Sequence, residues 1–154
     1  MEPLSTLWPV SDVASKLISI YEGPEVFLRD YSAATEVHQH IFAAYWFQAE
    51  FLNGGLTQFF GNSTGVLAPE AVEAYKAMNL PLLAAKLQES IDLFGYPYPR
   101  ERELREAKLE AFAENNDPEI EPFDTLDKEI TQLIHEEAGG LESSALAYIK
   151  RLEP

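Results

Sequence analysis

The sequence of 154 residues contains no cysteine. This excludes disulfides, catalytic thiols and thiolate metal ligands. Histidine is also scarce: only His38, His40 and His135 occur, and their spacing matches no zinc motif of the His-Glu-x-x-His kind. We therefore expect neither a metal nor another cofactor. The lack of cysteine also suits a reducing cytoplasm.

Long apolar runs are missing as well. The most apolar stretch, residues 41–52, includes Gln48 and Glu50 and is too short and too polar to span a bilayer. The N-terminal residues lack the positive region and apolar run of a signal peptide. We therefore expect a cytoplasmic protein that does not associate with membranes.

Basic residues are few, at 11 Lys and Arg against 26 Asp and Glu, so the net charge is −15. Residues 110–142 hold eleven of the acids and only Lys128 as a base, which places −10 of that charge in one segment. Such a field repels nucleic acids and attracts basic proteins. The sequence therefore predicts either a charge-dependent protein partner or an acidic surface that serves solubility.

The spacing of apolar residues predicts an all-α fold, a single domain over residues 1–154 with about six to seven helices and no strand. The helix over 35–53 is apolar nearly all round from Ile41 to Leu52, so we expect it in the centre of the core. Glycine commonly ends helices, so Asn53-Gly54-Gly55 predicts its end. The other predicted helices cover Ser11–Glu22, 69–78, 80–94, 99–113, 124–137 and 141–152.

Glu50 and Gln48 lie on this central helix among aromatic and aliphatic neighbours. Burying a carboxylate is costly unless it is hydrogen-bonded. One interpretation is a general acid or base with a raised pKa. The other is a structural network in which Glu50 or Gln48 accepts backbone N–H bonds from the loop after Gly55. Asn53, Gln58 and Asn62 then tie that loop down, because their amides can satisfy several backbone groups at once.

No nucleophile elbow or phosphate-binding loop is present, because Ser63-Thr64-Gly65 and the glycines near it have the wrong spacing. We therefore assign no catalytic residue. The acidic segment is a candidate partner-binding surface instead. Its candidate residues are Glu110, Glu114, Asp117, Glu119, Glu121, Asp124, Asp127 and Glu129.

Five of these acids, Glu110, Glu114, Asp117, Glu121 and Asp124, are spaced four, three, four and three residues apart. On one helix they would form a stripe with roughly 5–6 Å between neighbours, a scale at which carboxylates can imitate phosphates. Pro118 and Pro122 prevent an unbroken helix, so the stripe must bend. A solvated hinge between two helices is the alternative interpretation.

The segment from Glu50 to Gly65 resembles a bacterial family named after a DNA-mimic protein. The pattern is carried by Glu50, Asn53, Gly54, Gly55, Gln58, Phe59, Phe60, Asn62 and Gly65. The resemblance extends over about residues 40–152, with residues 1–35 as an N-terminal helical extension. Where family members often have an aromatic pair after Leu126-Asp127, this chain has Ile130 and Leu133.

The resemblance implies an all-α fold, a possible homodimer, and an acidic surface that competes with DNA for a basic DNA-binding protein. Two alternatives remain open: an immunity-type protein that neutralises a basic toxin or nuclease, and a small-ligand or enzyme site around Glu50, Asn53 and Gln58. Both as a DNA mimic and as an immunity-type protein, the chain would bind a basic protein and no nucleic acid directly.

If the acidic segment is the binding surface, neutralising Glu114, Asp117, Glu121 and Asp124 to the matching amides will abolish partner binding and leave the fold intact. Circular dichroism and thermal melting check the fold, and co-purification of the partner at low salt checks binding. Unchanged binding by the quadruple variant, or binding insensitive to salt, contradicts this prediction.

Overall fold

The computed structural model describes residues 8–114 and 122–152, which form eight α-helices in a single bundle and no strand. The predicted all-α fold is confirmed, with more helices than the six to seven expected. Two short 3₁₀ turns, Ser63–Leu67 and Glu137–Gly139, connect α3 to α4 and α7 to α8. The helices are α1 (Trp8–Ser15), α2 (Pro24–Ala33), α3 (Glu36–Gly61), α4 (Ala68–Ala77), α5 (Pro81–Asp92), α6 (Arg102–Glu114), α7 (Pro122–Glu136) and α8 (Leu141–Leu152).

Helix α3 lies at the centre and packs against α1, α4, α6, α7 and α8. Ile41, Phe47 and Phe59 on this helix are fully buried, as its apolar sequence predicts. Tyr45 and Trp46 are only half-buried, so one side of α3 reaches the surface. The prediction of a central buried helix is therefore confirmed for most of its circumference.

The prediction for the N-terminal region was wrong. Helix α1 ends at Ser15 rather than at Glu22, and a second helix, α2, begins at Pro24. Proline fits the first turn of a helix as well as the residue after one, and here it starts α2. Between the helices, the carboxylate of Asp30 accepts a hydrogen bond from the backbone N–H of Ser19 at 3.1 Å, which holds the irregular segment against α2.

The predicted stop at Asn53-Gly54-Gly55 is confirmed in part. Gly54 (φ −158°, ψ 19°) and Gly55 (φ 73°, ψ −169°) leave the helical conformation, so the regular helix is broken where the sequence predicts. The residues after the pair are not a loop, because a second helical stretch follows and continues to Gly61. The later helices α4 to α8 lie within three residues of the predicted bounds. The bend predicted at Pro118 lies outside the described residues, and Pro122 begins α7.

An aromatic cluster joins the end of α3 to the second half of the chain. The ring of Phe60 lies 4.5 Å from that of Phe94, just after α5, and 5.8 Å from that of Phe123 on α7. Phe112 on α6 completes the cluster, with its ring 5.9 Å from Phe123. Aromatic pairs at such distances contribute beyond the burial of their area. This cluster places α6 and α7 beside the helical segment that follows the glycine pair.

Over the ranges that the structure describes, no helix has both the length and the apolar character needed to cross a bilayer.

His40 connects α3 to the C-terminal helix. Its Nδ1 lies 2.5 Å from the hydroxyl of Tyr148 on α8. Burial lowers the pKa of His40, because a charged imidazole loses hydration, although the carboxylates of Glu36 and Glu73 act in the opposite direction. Burial likewise raises the pKa of Tyr148 to about 12. At neutral pH this contact therefore joins two uncharged groups.

This lowered pKa predicts a pH-dependent stability. The unfolded chain binds the His40 proton more tightly than the folded chain, so the free energy of unfolding will fall as the pH drops below about 6.5. Urea unfolding at pH 7.5 and pH 5.5 will show a smaller loss in His40→Gln than in the native sequence. An equal loss in both proteins contradicts the assignment to His40.

Candidate functional site

The carboxylate of Glu50 faces the helical segment beyond the glycine pair. Its Oε2 accepts hydrogen bonds from Nε2 of Gln58 at 2.8 Å and from Nδ2 of Asn62 at 3.1 Å. We predicted backbone N–H donors for Glu50, and its donors are side-chain amides instead. Because Gln58 folds back over the break, a Cβ on Gly54 would lie 2.1 Å from its Oε1. Glycine is thus required for this close approach.

The backbone N–H that the break exposes is bound from another helix. Leu56 donates its N–H to Oδ1 of Asp127 on α7 at 3.0 Å. A carboxylate at this position satisfies a free N–H at the start of a helical segment. Gly55 has a positive φ, and a Cβ there would lie 2.8 Å from Oδ2 of Asp127. The second glycine therefore permits both the turn and the approach of α7.

Arg105 of α6 binds the other end of the same segment. Its guanidinium is fully buried and donates to the carbonyls of Phe60 and Asn62, each at 2.9 Å. It also donates to the carbonyls of Pro99, at 3.3 Å, and Arg100. Helix C-terminal carbonyls attract cations. Burial lowers the pKa of Arg105, but an arginine remains charged at neutral pH.

Two further arginines bind carbonyls nearby. Arg102 donates from Nε to the carbonyl of Gly61 at 2.9 Å, and Arg100 donates to that of Val66 at 2.9 Å. Gly65 lies against Arg105, since a Cβ there would be 2.6 Å from its Nε. The segment from α3 to α4 is thus held by three arginines from the start of α6 and from the residues just before it.

The residues of the sequence motif therefore have identifiable structural surroundings. Glu50, Gln58 and Asn62 form one hydrogen-bonded network, Phe59 and Phe60 are fully buried, and the glycines permit close contacts. Asn53 is exposed. Gln48 is buried on α3, and its Oε1 has no hydrogen-bond partner among the described residues.

The candidate partner-binding residues occupy different surroundings. Glu110 and Glu114 are exposed on α6, and Asp124 is exposed on α7 with Lys128 at 3.4 Å. Asp127 binds the N–H of Leu56, as described above. Glu129 lies 2.5 Å from Lys86 on α5. Three of the candidates, Asp117, Glu119 and Glu121, lie outside the described residues.

Helix α6 has two distinct faces. Its packed face consists of Arg105, Leu109 and Phe112, spaced four and three residues apart. With 3.6 residues per turn, the opposite side of the helix carries Glu103, Glu110 and Glu114. All three are exposed, and none has an ion-pair partner among the described residues. We call these three residues the α6 outer face.

Sequence reasoning missed Arg105 and Glu103. The spacing of Arg105, Leu109 and Phe112 is a helical signal, but an arginine in such a row is normally read as solvated. Glu103 lies seven residues before Glu110 and outside the acid-rich segment 110–142, so the charge distribution does not point to it. Among the described residues, no three His, Asp or Glu side chains cluster closely enough to hold a metal ion.

The fold and the site define a class of protein, an all-helical bundle whose central helix is interrupted by two glycines. Hydrogen bonds to the carboxylate of Glu50 hold one side of the interruption, and the buried Arg105 holds the end of the segment that follows. The family model described as DMP19-like protein matches residues 32–152. The chain belongs to this DMP19-like family, which confirms the resemblance seen in the sequence. Comparison with curated proteins and with solved structures gave no match.

The contacts of Arg105 predict its contribution to stability. Arg105→Met keeps the aliphatic length but leaves buried carbonyls without donors, so we expect a loss of about 2–4 kcal/mol in the free energy of unfolding. Chemical denaturation measures this loss. Arg102→Met, at a half-exposed side chain, is the matched control and should cost about 1 kcal/mol or less. Equal effects of the two substitutions contradict the central role of Arg105.

Proposed function

We propose that the chain is a DNA mimic that occupies the DNA-binding surface of a basic protein, such as a transcriptional regulator. Membership of the DMP19-like family, which is named after a DNA mimic, supports this role. The observation that carries the proposal in this chain is the α6 outer face. There, Glu103, Glu110 and Glu114 stand exposed in a row with no base among them.

The distribution of basic residues supports the same surface. Seven of the eleven Lys and Arg side chains form ion pairs with carboxylates. Arg105 is buried, so its charge is not presented to a partner. Exposed ion pairs contribute little to stability, but they cancel charge locally. The field of the molecule therefore comes mainly from acids without a base, and the α6 outer face is one such group.

The charge density of this face is lower than that of DNA. Glu103 and Glu114 are eleven residues apart, about 16 Å along the helix axis. Duplex DNA carries one charge per about 1.7 Å of axis, so α6 alone supplies about a third of that density. Asp117, Glu119 and Glu121, which follow α6 directly in the sequence, and Asp124 on α7 belong to the proposed surface. Asp127 binds the N–H of Leu56 and Glu129 pairs with Lys86, so these two carboxylates contribute only to the overall electrostatic field.

The surroundings of Glu50 do not favour the small-ligand or enzyme alternative. Its Oε2 already accepts two amide hydrogen bonds, and the same residues close the break in α3. The immunity alternative predicts the same electrostatics as the mimic, so only the identity of the partner separates them.

The test uses the tagged chain to capture proteins from a native lysate at low salt, followed by competition with DNA for the captured protein. We expect one basic DNA-binding protein, released by moderate salt, whose DNA is displaced by this chain. The variant E103Q/E110Q/E114Q should weaken binding by about tenfold, since each exposed ion pair contributes up to about 1 kcal/mol. Fluorescence anisotropy with labelled DNA measures the displacement.

A matched control removes the same charge elsewhere. E22Q/E25Q/E136Q alters exposed acids that, like the α6 outer face, have no ion-pair partner among the described residues, and it should leave binding within about twofold, through the change in overall field alone. Equal losses in both variants would assign binding to net charge and overturn the role of α6. Capture of a nuclease or toxin whose activity the chain blocks would replace the mimic with the immunity alternative.

A further inference from the structure

A second surface lies between α4, the end of α5 and the connection to α6. It is a groove of about 550 Å³, within the range of sites that hold small groups. Its apolar walls include Pro69, Ile91 and Pro97. Tyr96 lines the groove and is fully exposed, at 100% of its possible surface. We call this the Tyr96 groove.

Most polar groups in the Tyr96 groove are already bound. The hydroxyl of Tyr98 donates to the carbonyl of Gly65 at 2.6 Å. The guanidinium of Arg100 donates to both carboxylate oxygens of Glu70, at 2.7 and 3.0 Å, so the positive charge is neutralised. Among the described residues, the ring of Tyr96 and the carboxylate of Asp92 keep free binding capacity suited to a cation.

Asp92 is exposed at the end of α5. One of its oxygens accepts a hydrogen bond from Nε2 of Gln88 at 2.8 Å, which orients the carboxylate. The second oxygen has no partner among the described residues, so it can accept from a donor outside the chain. An aromatic face, an oriented carboxylate and an apolar wall are together complementary to a flat cation on an aliphatic stem.

We propose that the Tyr96 groove binds an arginine side chain of a protein partner. The guanidinium stacks on the ring of Tyr96 and donates to Asp92, and the aliphatic stem lies along Pro69, Ile91 and Pro97. Arginine fits better than lysine, because its planar guanidinium both stacks on an aromatic ring and donates hydrogen bonds in its plane. The source of the arginine rests on the proposed function, since a protein that binds DNA presents arginines on its surface.

The chemistry of the groove can be tested without the partner. N-acetyl-arginine amide is titrated into the full chain, and the amide resonances of Asp92, Gly95 and Tyr96 are followed by NMR. We expect saturable shifts confined to the groove. N-acetyl-lysine amide should bind more weakly, and N-acetyl-citrulline amide, which is nearly isosteric but neutral, should give no saturable shift. Equal binding of arginine and lysine would reveal only the general field of an acidic protein and overturn the proposal.

Variants identify the two groups. Y96A and D92N should each weaken arginine binding by about twofold to fivefold, the effect expected of one exposed cation–π contact or ion pair. Y96F keeps the ring and should bind like the native chain. Tyr96 and Asp92 are exposed, so the fold should persist in all three variants, and thermal melting verifies this. Unchanged binding in both Y96A and D92N contradicts the proposal.

The outcome is separable from that for α6. The variant E103Q/E110Q/E114Q should retain the NMR shifts that N-acetyl-arginine amide induces at the groove, even if the variant no longer binds the basic protein. If arginine binds the groove but no DNA-binding protein is captured, the mimic hypothesis fails and the groove remains. If the basic protein binds and Y96A leaves its affinity unchanged, the groove does not contact that partner and this inference fails.

Discussion

The placement of one buried cation determines much of this structure. Arg105 enters the interior without a carboxylate partner among the described residues, and carbonyl oxygens from the end of α3 and from the connection before α6 satisfy it. Burying a charge is costly unless its donors are bound. Those carbonyls can converge only because Gly65 leaves room for the guanidinium. The helix end, the 3₁₀ turn and α6 are therefore positioned together.

This constraint has a consequence for the surface. Arg105 and Phe112 fix the rotation of α6 about its own axis, and that rotation turns Glu103, Glu110 and Glu114 towards solvent. The family motif and the acidic surface therefore have separate roles. The motif holds the helices in place, and α6 carries charge outward from that scaffold. The proposed mimicry depends on both, although no residue belongs to both.

The sequence predicted the α-helical class, the central helix and the family, because these follow from periodicity, composition and a short motif. It singled out Glu50, Gln58 and Asn62 but predicted backbone N–H donors for the carboxylate, since the approach of the side-chain amides depends on how the chain turns at Gly54. It missed α2 because Pro24 can end one helix or start another, and the neighbouring residues in the chain do not separate the two cases.

What the sequence determined by itself is the set of local preferences: helical segments, a glycine interruption and an excess of acid. These depend on neighbours in the chain, which a sequence displays directly. Tertiary structure decided which charges are used internally. In the sequence nothing distinguishes Asp127 from the neighbouring acids. In the structure it caps a helical segment, because α7 packs beside Leu56. Partners distant in the chain settle whether a carboxylate is structural or available, so charge count alone could not separate them.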